Sequence, residues 1–197
     1  MRPWSRVALT LSCAVLASPT ASAQTDLIAL DKVHQLYSSN QARAAARQLS
    51  EVSVEFRNEI GRCRDESIGA RLMELEPRVD ALASRLGRGT VTSVEELDRE
   101  FVVIDRLLAA NHQRLAASGW SLRRFGKVEV VGSDLSLAAR YLARASQWTQ
   151  QPLSAEVRKA VDDALALAAK LIANPANPPA ETPAVIEALG KALGPLS

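Results

Sequence analysis

The side chains in this sequence whose chemistry could go beyond packing are few: two histidines, one cysteine outside the N-terminal leader, and a line of glutamates. His34 and His112 fall on different predicted helices. No Cys-x-x-Cys-His is present, so covalent haem attachment has no handle. A noncovalent haem would need Met73 paired with one of the histidines, and nothing in the spacing favours that pairing. A carboxylate-bridged dimetal centre needs Glu-x-x-His from two helices. The sequence offers that spacing once, with the shorter acid, in Asp31-Lys32-Val33-His34. No metal and no cofactor are expected. Both histidines read as structural, His112 as a partly exposed residue one position past a helix seam.

Glu51, Glu55 and Glu59 stand four residues apart and continue a line begun by Arg43 and Arg47. Such a stripe is a solvated helix face, paired across helices with arginines such as Arg71 and Arg78. A general acid and base need a shared enclosed pocket to separate their pKa values, and the pattern supplies none. There is no Gly-x-Ser-x-Gly, no glycine-rich phosphate loop and no His-Glu-x-x-His. Cys63 falls on the apolar face of its helix, where a thiol is a small buried hydrophobe, far from the exposed electropositive setting of a reactive thiolate. The chain therefore reads as noncatalytic.

The stretch GWSLRRFGKVEVVGSD, residues 119–134, has a different texture. Trp120 and Phe125 are interleaved with Arg123, Arg124 and Lys127, and Arg114, Arg140 and Arg144 are nearby. From 114 to 144 six basic residues face only Glu129 and Asp134. Aromatic rings among arginines can stack on planar groups or clamp anions. With KVEVV as an extended segment and Gly126 and Gly132 as bends, the stretch reads as a long irregular crossover near 119–133, its aromatics tucked onto the rest of the fold. Loops of that length are uncommon without a function. Trp120, Arg123, Arg124, Phe125, Lys127 and Arg140 are the candidate partner- or anion-binding residues.

The elements around that stretch start with a leader. MRPWSRVALTLSCAVLASPTASAQ has a basic start at Arg2 and Arg6, an apolar run from Val7 to Ala17, and small residues at Ala21 and Ala23. That is the pattern of a cleaved secretory signal, residues 1–23, cut after Ala23. Its apolar run falls well short of the roughly 20 residues a membrane span needs, so no membrane span is expected after cleavage. Cleavage removes Arg2 and Arg6 from 24 basic side chains, leaving 22 against 22 acidic ones. A net-neutral exported chain gives no electrostatic reason to expect a nucleic-acid partner. Cleavage also removes Cys13, so Cys63 has no intramolecular partner.

Past the leader the apolar residues recur at helical spacing. Ile68, Leu72, Leu75, Val79, Leu82 and Leu86 alternate steps of four and three, a coiled-coil-like seam that Pro77 kinks without shifting its phase. Val94, Leu97, Phe101, Ile104, Leu108 and Leu115 form a second seam, with Asn111 as a polar member and Ser93 with Glu96 as a capping box. These two are expected to pack antiparallel across GRGT. Further helices are predicted over 26–37 and, longer, over 41–64, these two either separate or one helix bent near Ser39, then from Ser133 or Asp134 to Trp148, and after Ser154.

The expectation is an all-α helical bundle of about six helices at residues 24–173, a Pro-rich linker at 174–183 and a short amphipathic C-terminal helix at 184–197. The function expected is that of a periplasmic or secreted protein acting through contacts with another protein, as an accessory, chaperone, inhibitor or immunity-type factor of the cell envelope. The alternative is a sensor or binding bundle for a small anionic ligand held by the arginine-rich crossover.

Overall fold

The computed structural model of the chain describes residues 27–124 and 126–194. The leader and Phe125 lie outside the described residues. Among the described residues seven helices follow in order: α1 Leu30–Ser38, α2 Ala42–Arg62, α3 Glu66–Gly87, α4 Val94–Ser121, α5 Val128–Trp148, α6 Ala155–Ala173 and α7 Thr182–Leu193. No strand occurs among the described residues. The all-α bundle expected from the periodicity is what the chain forms.

The break between α1 and α2 falls at SSNQ, where Asn40 takes a left-handed backbone with φ of 59°, a conformation that asparagine tolerates better than most residues. α3 runs unbroken through Pro77, and its whole seam, from Ile68 to Leu86, is buried. Asp65 caps it, its carboxylate accepting from the Ile68 amide at 3.1 Å. The cap of α4 differs from the expected box: Ser93 makes no side-chain cap bond. The Glu96 carboxylate instead accepts from the Thr92 amide at 3.1 Å and pairs with Arg85 across the GRGT turn.

Helix partners also differ from expectation. α3 packs mainly on α2, and α4 mainly on α5, while α3 and α4 touch each other sparsely. Between them runs a groove of about 430 Å³ floored by Leu75, Val102 and Val103, with Arg71, Arg78 and Arg106 along it. The apolar seams are real, but each is satisfied mainly by its other neighbour in sequence, α2 for α3 and α5 for α4.

The largest correction concerns residues 119–133. α4 extends to Ser121 and α5 starts at Val128, so KVEVV enters a helix and the connection shrinks to 122–127. The alternating valines mimic a strand locally, yet Val128, Val131 and Leu135 also fall at helical spacing. Val131 and Leu135 are buried, with Val128 packed against the core. Burial outweighs the small helix penalty of β-branched residues. Two glycines permit close approach. A Cβ on Gly119 would come within 3.0 Å of Val131, and one on Gly132 within 2.9 Å of Ile172 and 3.0 Å of the Ala168 carbonyl.

The C-terminal helix is docked. Ile186, Leu189 and Leu193 of α7 are buried, packed against α6 and α4. Gln113 of α4 donates to the Ile186 carbonyl at 3.1 Å. No helix among the described residues is long and apolar enough to cross a membrane.

Candidate functional site

Among the described residues the sequence-derived candidates Trp120, Arg123, Arg124 and Lys127 gather at the α4–α5 corner, and Arg140 does not. Trp120 is half-buried at the end of α4, and the Arg123 guanidinium lies over its ring at 4.6 Å while donating to the Trp120 carbonyl at 3.1 Å. Arg124 and Lys127 are exposed beside it. Arg140 stands well into α5, on the order of 18 Å along the axis from Val128, and is itself engaged. The structure therefore does not bring Arg123, Arg124 and Arg140 together as one clamp.

What the corner adds is apolar surface. Leu122 and Val130 are 51% and 49% exposed, and both line a recess of about 570 Å³ that runs back to the end of α2. Arg64, Lys127, Leu115 and Val131 share its walls. A second recess, of about 330 Å³, shares Arg64, Leu115 and Ser118 with the first and adds Asp65, Asn111 and Arg114. Arg64 makes no ion pair or hydrogen bond among the described residues. Arg114 reaches Asp65 only at 3.6 Å.

Behind the recesses the bundle holds a run of buried polar groups from helices far apart in sequence. His112, expected to be partly exposed, is completely buried. Its Nδ1 faces Asp134 Oδ1 at 2.9 Å and its Nε2 faces Glu59 Oε2 at 3.2 Å. Arg62 bridges both acids, at 3.0 Å to each. Glu59 is thus no member of a solvated stripe, unlike the exposed Glu51 and Glu55. Tyr141 stacks on His112 with ring centroids 5.7 Å apart, and its hydroxyl accepts from the Ile28 amide at 3.1 Å.

One turn further along, Arg144 grips buried Asp105 with two bonds of 2.8 Å, and Trp148 Nε1 donates to the same carboxylate at 2.7 Å. Arg144 also donates to the Ile28 carbonyl and to Asp31, each at 2.8 Å. His34 completes the series against Asp98 at 3.2 Å, its ring beside Trp148 at 5.2 Å.

A signal for this run was present in the sequence. Asp98, Asp105 and His112 recur every seven residues, as do Asp134, Tyr141 and Trp148. Sevenfold spacing places each set on one helix face. The antiparallel pairing of α4 and α5 brings the two lines together.

The electrostatics follow from burial against pairing. Burial works against the His112 imidazolium, but Asp134 and Glu59 on either side raise its pKa above the ordinary value. Glu59 is pushed up by burial and pulled further down by His112 and Arg62, so it ends below the usual carboxylate range. Arg144 is likewise held above its ordinary value by Asp105 and Asp31 despite burial. With an acid facing each ring nitrogen and the ring wholly buried, His112 has neither nitrogen to offer a substrate. The ring lies between its two acids, and among the described residues no group of three or more His, Cys, Asp or Glu is arranged to hold a metal ion.

Asn111 is different. It is fully buried, it lines the smaller recess, and both polar atoms of its amide lack a hydrogen-bond partner. An unsatisfied buried polar group costs about 1–3 kcal/mol. Cys63, expected to be a buried hydrophobe, is only half-buried at the end of α2, its thiol donating to the Asp65 carbonyl at 3.3 Å. Compared with known proteins, the chain matches no family model, no curated protein and no solved structure.

Proposed function

We propose that the chain is an exported, noncatalytic helical protein, periplasmic or secreted, that acts by holding a segment of another protein at the α4–α5 corner. The observation that carries this reading is the pair Leu122 and Val130, about half exposed on the lip of a recess whose walls also bear Arg64 and Lys127. Apolar side chains beside unoccupied cations suit a segment that offers an apolar residue flanked by Asp or Glu. Arg123, fixed on Trp120, and exposed Arg124 extend the basic rim. The committed state of His112, Glu59 and Asp134 fits a scaffold that holds the recess open better than a reacting centre. The leader supplies the address.

A randomised peptide library with both ends blocked tests the reading. It selects sequences pairing an apolar residue with acidic neighbours, and Leu122→Asp with Val130→Asp abolishes their binding while the melting temperature stays within a few degrees. No selection above background, or binding indifferent to those two substitutions, refutes it.

A further inference from the structure

We infer that the smaller recess takes the free C-terminal end of an extended peptide, its carboxylate on Arg64 and Arg114 and the preceding residue on the Asn111 amide. This rests on the corner being the contact surface and says which part of the partner is held.

Among the described residues four that are buried or partly buried keep buried side-chain atoms without a hydrogen bond: Glu59, Asp98, His112 and Asn111. Glu59 Oε2 and His112 Nε2 face each other at 3.2 Å, and Asp98 Oδ1 faces His34 at 3.2 Å. Asn111 alone among them has no counterpart for either atom. Buried amides in folded proteins are satisfied by protein, water or ligand, and Asn111 lines an open recess.

The chemistry of the occupant follows from the donors and acceptors present. A carboxamide sets one acceptor beside two N–H donors. That edge matches the N–H and C=O of one extended residue, which point to the same side, as they do between paired strands. A phosphate or a bare carboxylate would leave the Asn111 oxygen with nothing to accept. The two guanidinium groups at the mouth suit an anion, and a carboxylate best uses their forked geometry. Among the described residues Arg64 has no partner to give up, and Arg114 has only the long contact to Asp65 at 3.6 Å. Asp65 is already occupied as the cap of α3. A carboxylate joined to a peptide group uses every one of these atoms.

The two recesses share Arg64, Leu115 and Ser118. A chain leaving Asn111 therefore passes Leu115 and reaches Leu122 and Val130 with its upstream residues. The same terminal chemistry in a free N-acyl amino acid would satisfy Arg64, Arg114 and Asn111 and leave the corner empty.

Binding is measured by fluorescence anisotropy on the purified chain with randomised hexapeptides bearing a free carboxylate, the same hexapeptides amidated, and N-acetyl amino acids. The free-acid hexapeptides bind at least tenfold more tightly than the amidated ones. That preference disappears in Arg64→Ala with Arg114→Ala and in Asn111→Leu. Asn111→Leu keeps or raises the melting temperature, since a similar apolar volume replaces an unsatisfied amide. Equal binding of free and amidated peptides, still blocked by the Leu122 and Val130 substitutions, overturns this inference and leaves the corner reading intact. N-acetyl amino acids binding as tightly as hexapeptides would make the recess a small-molecule site and also overturn it. A lower melting temperature for Asn111→Leu with the carboxylate preference unchanged assigns the amide to a structural water and does the same. Binding by neither library removes both readings.

Discussion

Replacing Arg144 with methionine isolates the energetics of the buried network. Arg144 is buried at the junction of α4, α5 and the segment before α1. It makes two 2.8 Å bonds to Asp105 and one each to Asp31 and the Ile28 carbonyl. Methionine fills much of the volume and leaves Asp105, itself wholly buried, with Trp148 Nε1 as its remaining donor among the described residues. Breaking one side of a buried pair costs about 3–5 kcal/mol, because the other charge stays behind unpaired. Domains of this size have about 5–15 kcal/mol in total, and each kcal/mol moves the melting temperature by about 2–4 °C. Arg144→Met should therefore melt about 6–20 °C below the parent.

Asp105→Leu should cost less, since Arg144 keeps Asp31, whose carboxylate faces solvent. The double variant removes both charges and leaves only the Trp148 N–H buried without a partner, since the Ile28 carbonyl keeps the Leu30 amide at 2.8 Å and Asp31 faces solvent. It should be more stable than the sum of the two single losses predicts, by about 2 kcal/mol or more. Urea denaturation of the four proteins closes the cycle. Losses that simply add, to within about 0.5 kcal/mol, would show that the pair is not coupled and would refute the reasoning.

Further outcomes follow from other contacts. The raised His112 pKa contributes stability that is full below its ordinary value of 6.5 and is lost as pH climbs through the folded value. The lowered Glu59 pKa contributes above 4.5 and is lost as pH falls through its folded value. Melting temperature should thus be highest between about these limits and fall on the alkaline side, and His112→Gln should flatten that fall across a pH series. Gly132→Ala puts a methyl against the immovable Ala168 carbonyl at 3.0 Å. Overpacking of about 1–3 kcal/mol outweighs the roughly 1 kcal/mol gain in helix propensity, giving a net loss in chemical denaturation. Ile186→Ala in α7 should cost about 2–5 kcal/mol, which circular dichroism on heating would register. No change would mean that α7 does not dock in solution.

How much was legible in the sequence depends on whether one helix or two carry the signal. α3 could be read from a single strand of text, because Ile68 to Leu86 repeat without interruption and all end up buried. α5 was misread at its start because Lys127 to Val131 alternate like a strand, and only the packing of Gly119 and Gly132 shows which period wins. The docking of α7 was hidden behind four prolines, since the linker says nothing about where its far end settles. The candidate site divides the same way. Trp120, Arg123, Arg124 and Lys127 were visible as a local cluster, whereas Arg64 and Arg114 join them only because the α2–α3 turn lies against α4. His112 looked solvated when judged beside its neighbours in sequence, because its partners are 22 and 53 residues away.

The two lines of polar and aromatic residues explain why this bundle does not rest on apolar seams alone. Asp98, Asp105 and His112 descend α4 as Asp134, Tyr141 and Trp148 ascend toward them on α5, so His112 meets Asp134 while Asp105 meets Arg144 and Trp148. Sliding α4 by one turn would move leucine onto leucine at small cost. It would also carry His112 off Asp134 and Asp105 off Arg144 together, stranding four buried charged groups, so the register is fixed at two points about two turns apart. Asn111 precedes His112 and is rotated about 100° from it around α4, away from the line that α5 serves. It is the polar residue of this seam that the chain leaves unserved. For that reason an occupant is expected at Asn111, beside Arg64 and Arg114, and not at the histidine next to it.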